Sequence, residues 1–102
     1  MSRILSQSEV IERLGIPRQT FEQGIRPLME KLGDARNLGG GRRASWAYSS
    51  ENMWQWELYI ATRKNLIEAG EWSAKRPYSI RDMEDIVLIG MYEDYMPKDE
   101  TK

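Results

Sequence analysis

A mainly α-helical domain with one small β-hairpin, continued by C-terminal helices, is the fold class that the sequence predicts. Three observations carry it. Apolar residues recur at three- and four-residue spacing behind helix-start signals at Ser6, Pro17, Ser49 or Ser50, and Ser79. The stretch that alternates like a pair of strands is 34–48, around Gly39-Gly40-Gly41. With 102 residues, the chain has room for one compact domain.

Each element has its own justification. Ser6-Gln-Ser-Glu9 fits a capping box, and Val10, Ile11 and Leu14 then fall on one helical face. Gly15 supplies the positive φ that ends this helix, Ile16 is an apolar plug, and Pro17 suits the first position of the next. That second helix is expected over about Arg18–Arg26, with Phe21 and Ile25 inward and Arg18, Gln19, Thr20, Gln23 and Arg26 outward. Pro27 cannot continue the regular hydrogen-bond ladder, so a kink or a fresh short turn is expected through Leu28, Met29 and Leu32. In the hairpin, Leu38, Trp46 and Tyr48 are the expected inward anchors, with Arg42 and Arg43 at the tip. Ser49 or Ser50 should cap a third helix over about 51–69, which has one stripe of Met53, Trp56, Ile60 and Ile67 and a second of Trp54, Leu58 and Ala61. Gly70 ends it, and a connector carrying Trp72 and Pro77 follows. Ser79, with Asp82 at the box position, opens a fourth helix lined by Ile80, Met83, Ile86, Val87, Met91 and Tyr95. Residues 97–102 are expected to fray.

Composition narrows the function. Cysteine and histidine are both absent, which removes disulfides, thiol nucleophiles, Cys/His zinc sites and histidine acid–base chemistry. No apolar run approaches the roughly 18 residues that a membrane span needs, and the N-terminus lacks a signal-peptide core. A cytoplasmic binding module, not an enzyme and without cofactor or metal, is the expectation. Net charge is −1, but it is unevenly spread: residues 1–64 hold ten basic and seven acidic side chains, residues 65–102 five and nine. The front is therefore basic and the tail acidic, an asymmetry that suits a polyanion-binding face.

Two motif-like strings fail on context. Gly39-Gly40-Gly41-Arg42-Arg43-Ala44 satisfies G-x-G-x-x-A, but a dinucleotide site needs a helix after it, and the following Ser-Trp-Ala-Tyr alternates like a strand. Asp82, Glu84, Asp85, Glu93 and Asp94 resemble a magnesium cluster only by composition; a solvated helix face accounts for them, with Asp82 and Asp85 favoured by the helix dipole.

What remains is two helices joined by a short Gly-containing turn, then a basic-tipped hairpin. That order reads as a helix-turn-helix with a wing. In such a domain the second helix enters the major groove and its N-terminal outward side chains meet base edges. Arg18, Gln19 and Gln23 suit base edges, since arginine can fork onto guanine and glutamine onto adenine. Thr20 and Arg26 suit phosphates. Arg42 and Arg43 would reach the backbone or the minor groove. Each residue also has a plain alternative: Arg26 follows Glu22 by four positions and can simply pair with it.

The segment Leu5-Ser-Gln-Ser-Glu-Val-Ile-Glu-Arg-Leu-Gly-Ile-Pro-Arg-Gln-Thr-Phe21 resembles the opening helix-turn-helix of the MerR and phage-excisionase superfamily. Gly41-Arg-Arg-Ala-Ser-Trp-Ala-Tyr-Ser-Ser-Glu-Asn-Met-Trp-Gln-Trp56 is similar to that superfamily's wing running into its next helix. The resemblance covers about residues 4–60 and implies DNA binding by Arg18, Gln19, Thr20 and Gln23, with Arg42 and Arg43 on the wing. The family's usual aromatic pair is reduced here to Phe21, and its thiolate metal sites have no counterpart in a chain without cysteine. No small-molecule effector is implied.

Four tryptophans and six methionines are a heavy apolar load for so small a core. Residues 1–50 are accordingly read as the DNA-binding region and 51–96 as a helical region that completes the core and dimerises through Trp54, Leu58, Met83, Val87 and Met91. The alternative is a monomer whose fourth helix caps its own core. The expected function is sequence-specific binding of double-stranded DNA by a homodimeric transcription regulator. The rival readings are a DNA-organising accessory factor, such as a terminase small subunit, excisionase or architectural protein, and a protein-interaction module on the same fold.

Overall fold

The computed structural model describes residues 4–39 and 45–95, with side chains as far as residue 90. Four helices surround a small three-stranded antiparallel sheet. In chain order these are β1 (Ile4–Leu5), α1 (Gln7–Leu14), α2 (residues 18–31), β2 (Ala35–Asn37), β3 (Trp46–Ser49), α3 (Met53–Glu68) and α4 (Ile80–Tyr95). The sheet order is β1-β3-β2. Among the described residues no helix is long and apolar enough to cross a membrane. Arg42, Arg43 and residues 97–102 lie outside the described residues, as does the side chain of Met91.

The capping box forms as the sequence predicts. The Glu9 N–H donates to Ser6 Oγ (3.2 Å), and the Ser6 N–H donates to Glu9 Oε1 (2.9 Å). Gly15, at φ +66°, closes α1 with its N–H on Ile11 O (2.9 Å). Pro17 sits one place earlier than expected, as the residue before α2 rather than its first.

Pro27 does not break α2. The helix widens instead: residues Phe21–Ile25 form a π segment in which the Arg26 N–H reaches Phe21 O, and Arg26–Lys31 then continues as regular helix. A proline in a regular helix leaves the carbonyl four residues back without a donor and presses its ring on it; the wider turn relieves both. Phe21, Ile25 and Met29 stay in line and fully buried. At roughly 1.5–3 kcal/mol for each large apolar side chain buried, this row holds α2 against the rest of the molecule.

The hairpin pairs Ala35 with Tyr48, Arg36 with Ala47 and Asn37 with Trp46. Tyr48 is fully buried and Trp46 half-buried, but Leu38 is 59% exposed, contrary to its expected inward role. Alternation is the reason: Ala35 faces the core, so a residue three places on projects from the opposite face. The short strand β1, paired to β3 at Ile4–Ser49 and Leu5–Tyr48, was not anticipated.

Helix α3 begins at Met53 without the expected serine cap; Ser49 Oγ accepts instead from the Glu51 N–H (3.3 Å). Asn52, in the capping position, gives its side chain to Asp34. That buried carboxylate takes Asn52 Nδ2 on one oxygen (2.9 Å) and Trp56 Nε1 on the other (3.0 Å). Its backbone N–H donates to Met29 O and its carbonyl accepts from the Ser49 N–H. Asp34 thus joins the end of α2, strand β3 and the start of α3.

Met53, Trp56 and Ile60 face inward as expected, and Tyr59 and Arg63 join them. The Asp82 N–H donates to Ser79 Oγ (3.0 Å), but the return half of that box is not made. Asp82 instead accepts both Arg76 Nε (2.9 Å) and Nη2 (3.0 Å), and the Ser79 N–H goes to the Tyr59 hydroxyl (3.1 Å). Arg76 also lies 3.9 Å from the centre of the Trp72 ring, which fastens the connector. One buried cluster runs from Leu5 to Val87, so residues on both sides of position 50 share a core.

Candidate nucleic-acid interface

The outward side of α2 carries the residues singled out in the sequence. Its inner row is buried, so helical geometry sends Arg18, Gln19 and Gln23 to solvent, and all three are exposed. Thr20 is half-buried. Arg26 is only 23% exposed, because its guanidinium lies over the Trp46 ring, 4.4 Å from the centroid. Trp46 opens β3, so the end of the hairpin strand sits directly beside the C-terminal half of α2's outward face.

A polar network links this face to α1. Gln7 Oε1 accepts from Arg26 Nη1 (3.0 Å) and from the Tyr48 hydroxyl (2.8 Å), while Gln7 Nε2 donates to Glu22 Oε2 (2.7 Å). The same Glu22 oxygen accepts from Arg18 Nε (3.0 Å) and lies 4.0 Å from Arg26 Nη1. The Arg18 hydrogen bond, followed by that of Gln7, holds the Glu22 carboxyl below the usual carboxylate range. Burial pushes the Tyr48 hydroxyl up to about 12, with Arg26 acting against the shift. Arg18 remains 76% exposed, and an exposed i,i+4 pair of this kind is worth only about 0.3–0.5 kcal/mol.

Gln7, Glu22, Arg26, Trp46, Ser45 and Arg18 line one concavity of about 290 Å³. Of these, Gln7 was invisible in the sequence as a site residue, since its partners lie 15, 19 and 41 positions away. Arg42 and Arg43 lie outside the described residues.

The anticipated dimerisation residues separate into two groups. Met83 and Val87 are buried in the chain's own core against α3, which corrects their assignment to a surface. Apolar burial within the chain uses the side of α4 that periodicity marks. Trp54 is 45% exposed and Leu58 half-buried, and on α4 the exposed apolar side chains are instead Leu88 (67%) and Ile89 (57%). Met91 lies outside the described side chains.

A larger cavity, about 710 Å³, lies between the α1–α2 turn and α3, with walls that include Leu14, Ile16, Ile60, Ile67, Arg63 and Tyr78. It shares no residue with the concavity above. Arg63 is buried there, stacked 4.0 Å from the Tyr78 ring centre and donating Nη2 to Ala74 O (3.3 Å). Among the described residues no group of three or more acidic, histidine or cysteine side chains gathers as a metal site would require. Comparison with protein-family models, curated proteins and solved structures finds no match to this chain.

Proposed function

We propose that the protein binds duplex DNA as a winged helix-turn-helix module, with α2 as the recognition helix and the 35–49 hairpin as the wing. The observation that carries the reading is the division of α2: Phe21, Ile25 and Met29 are buried, while Arg18, Gln19 and Gln23 project to solvent beside a hairpin strand. Arginine and glutamine at the N-terminal end of an outward helix face are the side chains that read guanine and adenine edges. Arg26, ordered by Trp46 and Gln7, and Thr20 would take phosphates, and Arg42 and Arg43 the flanking backbone or minor groove.

Two copies would bind together through the exposed apolar side chains of Trp54, Leu88 and Ile89, with the half-buried Leu58 beside them, reading two half-sites. A small regulator that occludes a promoter needs no further machinery. A DNA-organising accessory role uses the same surface, and the recognition site separates the two.

The test is fluorescence anisotropy on a random-sequence duplex across salt, followed by selection of a preferred site. Arginine–phosphate contacts predict a log K against log salt slope of roughly −3 per protomer. Replacing Arg42 and Arg43 together by alanine should weaken all sequences alike, and Gln23→Ala should shift sequence preference. Absence of binding to any duplex at low salt would rule the reading out.

A further inference from the structure

The concavity at the base of the hairpin holds a carboxylate where the DNA-binding reading calls for a phosphate. Two donors meet at Glu22 Oε2, Gln7 Nε2 at 2.7 Å and Arg18 Nε at 3.0 Å, and the Arg26 guanidinium, whose Nη1 donates to Gln7 Oε1, stands 4.0 Å from the same oxygen. One oxygen facing two guanidinium groups and an amide is the donor arrangement that proteins present to a phosphodiester oxygen. Arg18 and Arg26, two of the seven residues assigned to DNA, therefore share an internal counterion, and that counterion stands on the outward side of the same helix.

We infer that Glu22 is an intramolecular stand-in for a DNA phosphate: it occupies the seat formed by Gln7, Arg18 and Arg26, and a backbone phosphodiester of the duplex displaces it. The inference rests on the DNA-binding reading, moves Arg18 from a base edge to a phosphate, and adds the regulation of that surface. With Glu22 in place, the seat is closed to weakly held polyanions, and any phosphate approaching it meets a like charge at close range. Only a duplex that also makes base contacts through Gln19 and Gln23 compensates for the exchange. The Arg18–Glu22 link is solvent-exposed and weak, so displacement needs no rearrangement of the fold. Trp46 keeps Arg26 oriented after the carboxylate leaves, since that contact does not involve Glu22, and the Gln7 oxygen that accepts from Arg26 is still held by the Tyr48 hydroxyl.

The experiment compares wild type with Glu22→Gln, which keeps shape and removes charge, and with Glu22→Ala, which also removes the acceptor. Glu30→Gln is the control, because it changes net charge equally on an exposed position at the far end of α2. Each is titrated with a fixed random-sequence duplex by fluorescence anisotropy at several salt concentrations, after thermal melting has established that it folds. Both Glu22 variants should bind the random duplex roughly five- to tenfold more tightly at low salt, with a salt slope steeper by about one. Their preference for a selected site over random sequence should fall, and Glu30→Gln should change binding less than twofold. Wild type that binds while the Glu22 variants bind equally or more weakly would overturn the inference and leave the DNA-binding reading intact, with Glu22 then a positioning residue for Arg18. Failure of wild type and of both variants to bind any duplex would overturn both.

Discussion

Arg26 and Trp46 stack with the guanidinium carbon 4.4 Å from the ring centroid, and this contact joins the recognition-helix candidate to the hairpin. Trp46 in turn stacks on Tyr48 at 6.4 Å, so the pair is backed by the core. In a double-mutant cycle of Arg26→Gln and Trp46→Leu, chemical denaturation should give a coupling energy of about 0.5–1 kcal/mol. Zero coupling would mean that the hairpin keeps its place without this contact.

Gly24 is held by a neighbour. A Cβ there would stand 2.8 Å from Tyr78 Cδ2, and the Tyr78 ring is itself fixed by the edge of Tyr59 and the Arg63 guanidinium. Alanine is the better helix former by about 1 kcal/mol, yet Gly24→Ala should destabilise by roughly 1–2 kcal/mol net. For a domain of this size that lowers Tm by about 4–16 °C, readable by circular dichroism.

Acid should loosen the fold through Asp82. The Arg76 guanidinium, with Ser79 assisting, holds this carboxyl below the usual range. A group whose pKa is depressed in the folded state contributes stability above its unfolded value, near pH 4, and loses it as pH falls through the folded value. Glu22 adds a term of the same sign. Stability should therefore drop below about pH 4, and Asp82→Asn should give a shallower acid limb and a lower neutral-pH stability.

Self-association should follow exposure. Leu88→Glu combined with Ile89→Glu, on the exposed side of α4, should shift sedimentation from dimer to monomer with little change in melting. Val87→Ala, one residue away but buried, should instead cost about 1–3 kcal/mol of stability and leave the sedimenting species unchanged. A wild-type chain that sediments as a monomer at all concentrations would remove the dimer from the proposal.

Local signals in the sequence were legible where a few adjacent residues suffice. The Ser6–Glu9 box, the Gly15 stop and the inward Phe21 and Ile25 depend on neighbours within five positions, and the paired strands around the glycines join residues no more than 13 apart. Strand β1 is only two residues long, too short to show alternation. Tyr59 and Arg63 carry polar ends that read as surface; the Tyr59 hydroxyl accepts from the Ser79 N–H and Arg63 Nη2 donates to Ala74 O, far along the chain, while Arg63 Nη1 is buried without a hydrogen-bond partner. The Gln7–Glu22–Arg26 network is illegible for the same reason. Pro27 signalled a disturbance correctly, but nothing in composition says whether a helix kinks or widens, since the choice depends on keeping Met29 aligned with Ile25 in the core.

Asp34 gives the hairpin and the two long helices next to it a common fate. Its carboxylate is held by the start of α3, its N–H by the end of α2 and its carbonyl by β3, so fraying any one of those segments leaves a buried polar group of Asp34 without its partner. Amide protons at the end of α2, along β3 and at the start of α3 should exchange with solvent as one cooperative unit, which would give the hairpin strands a rigid base.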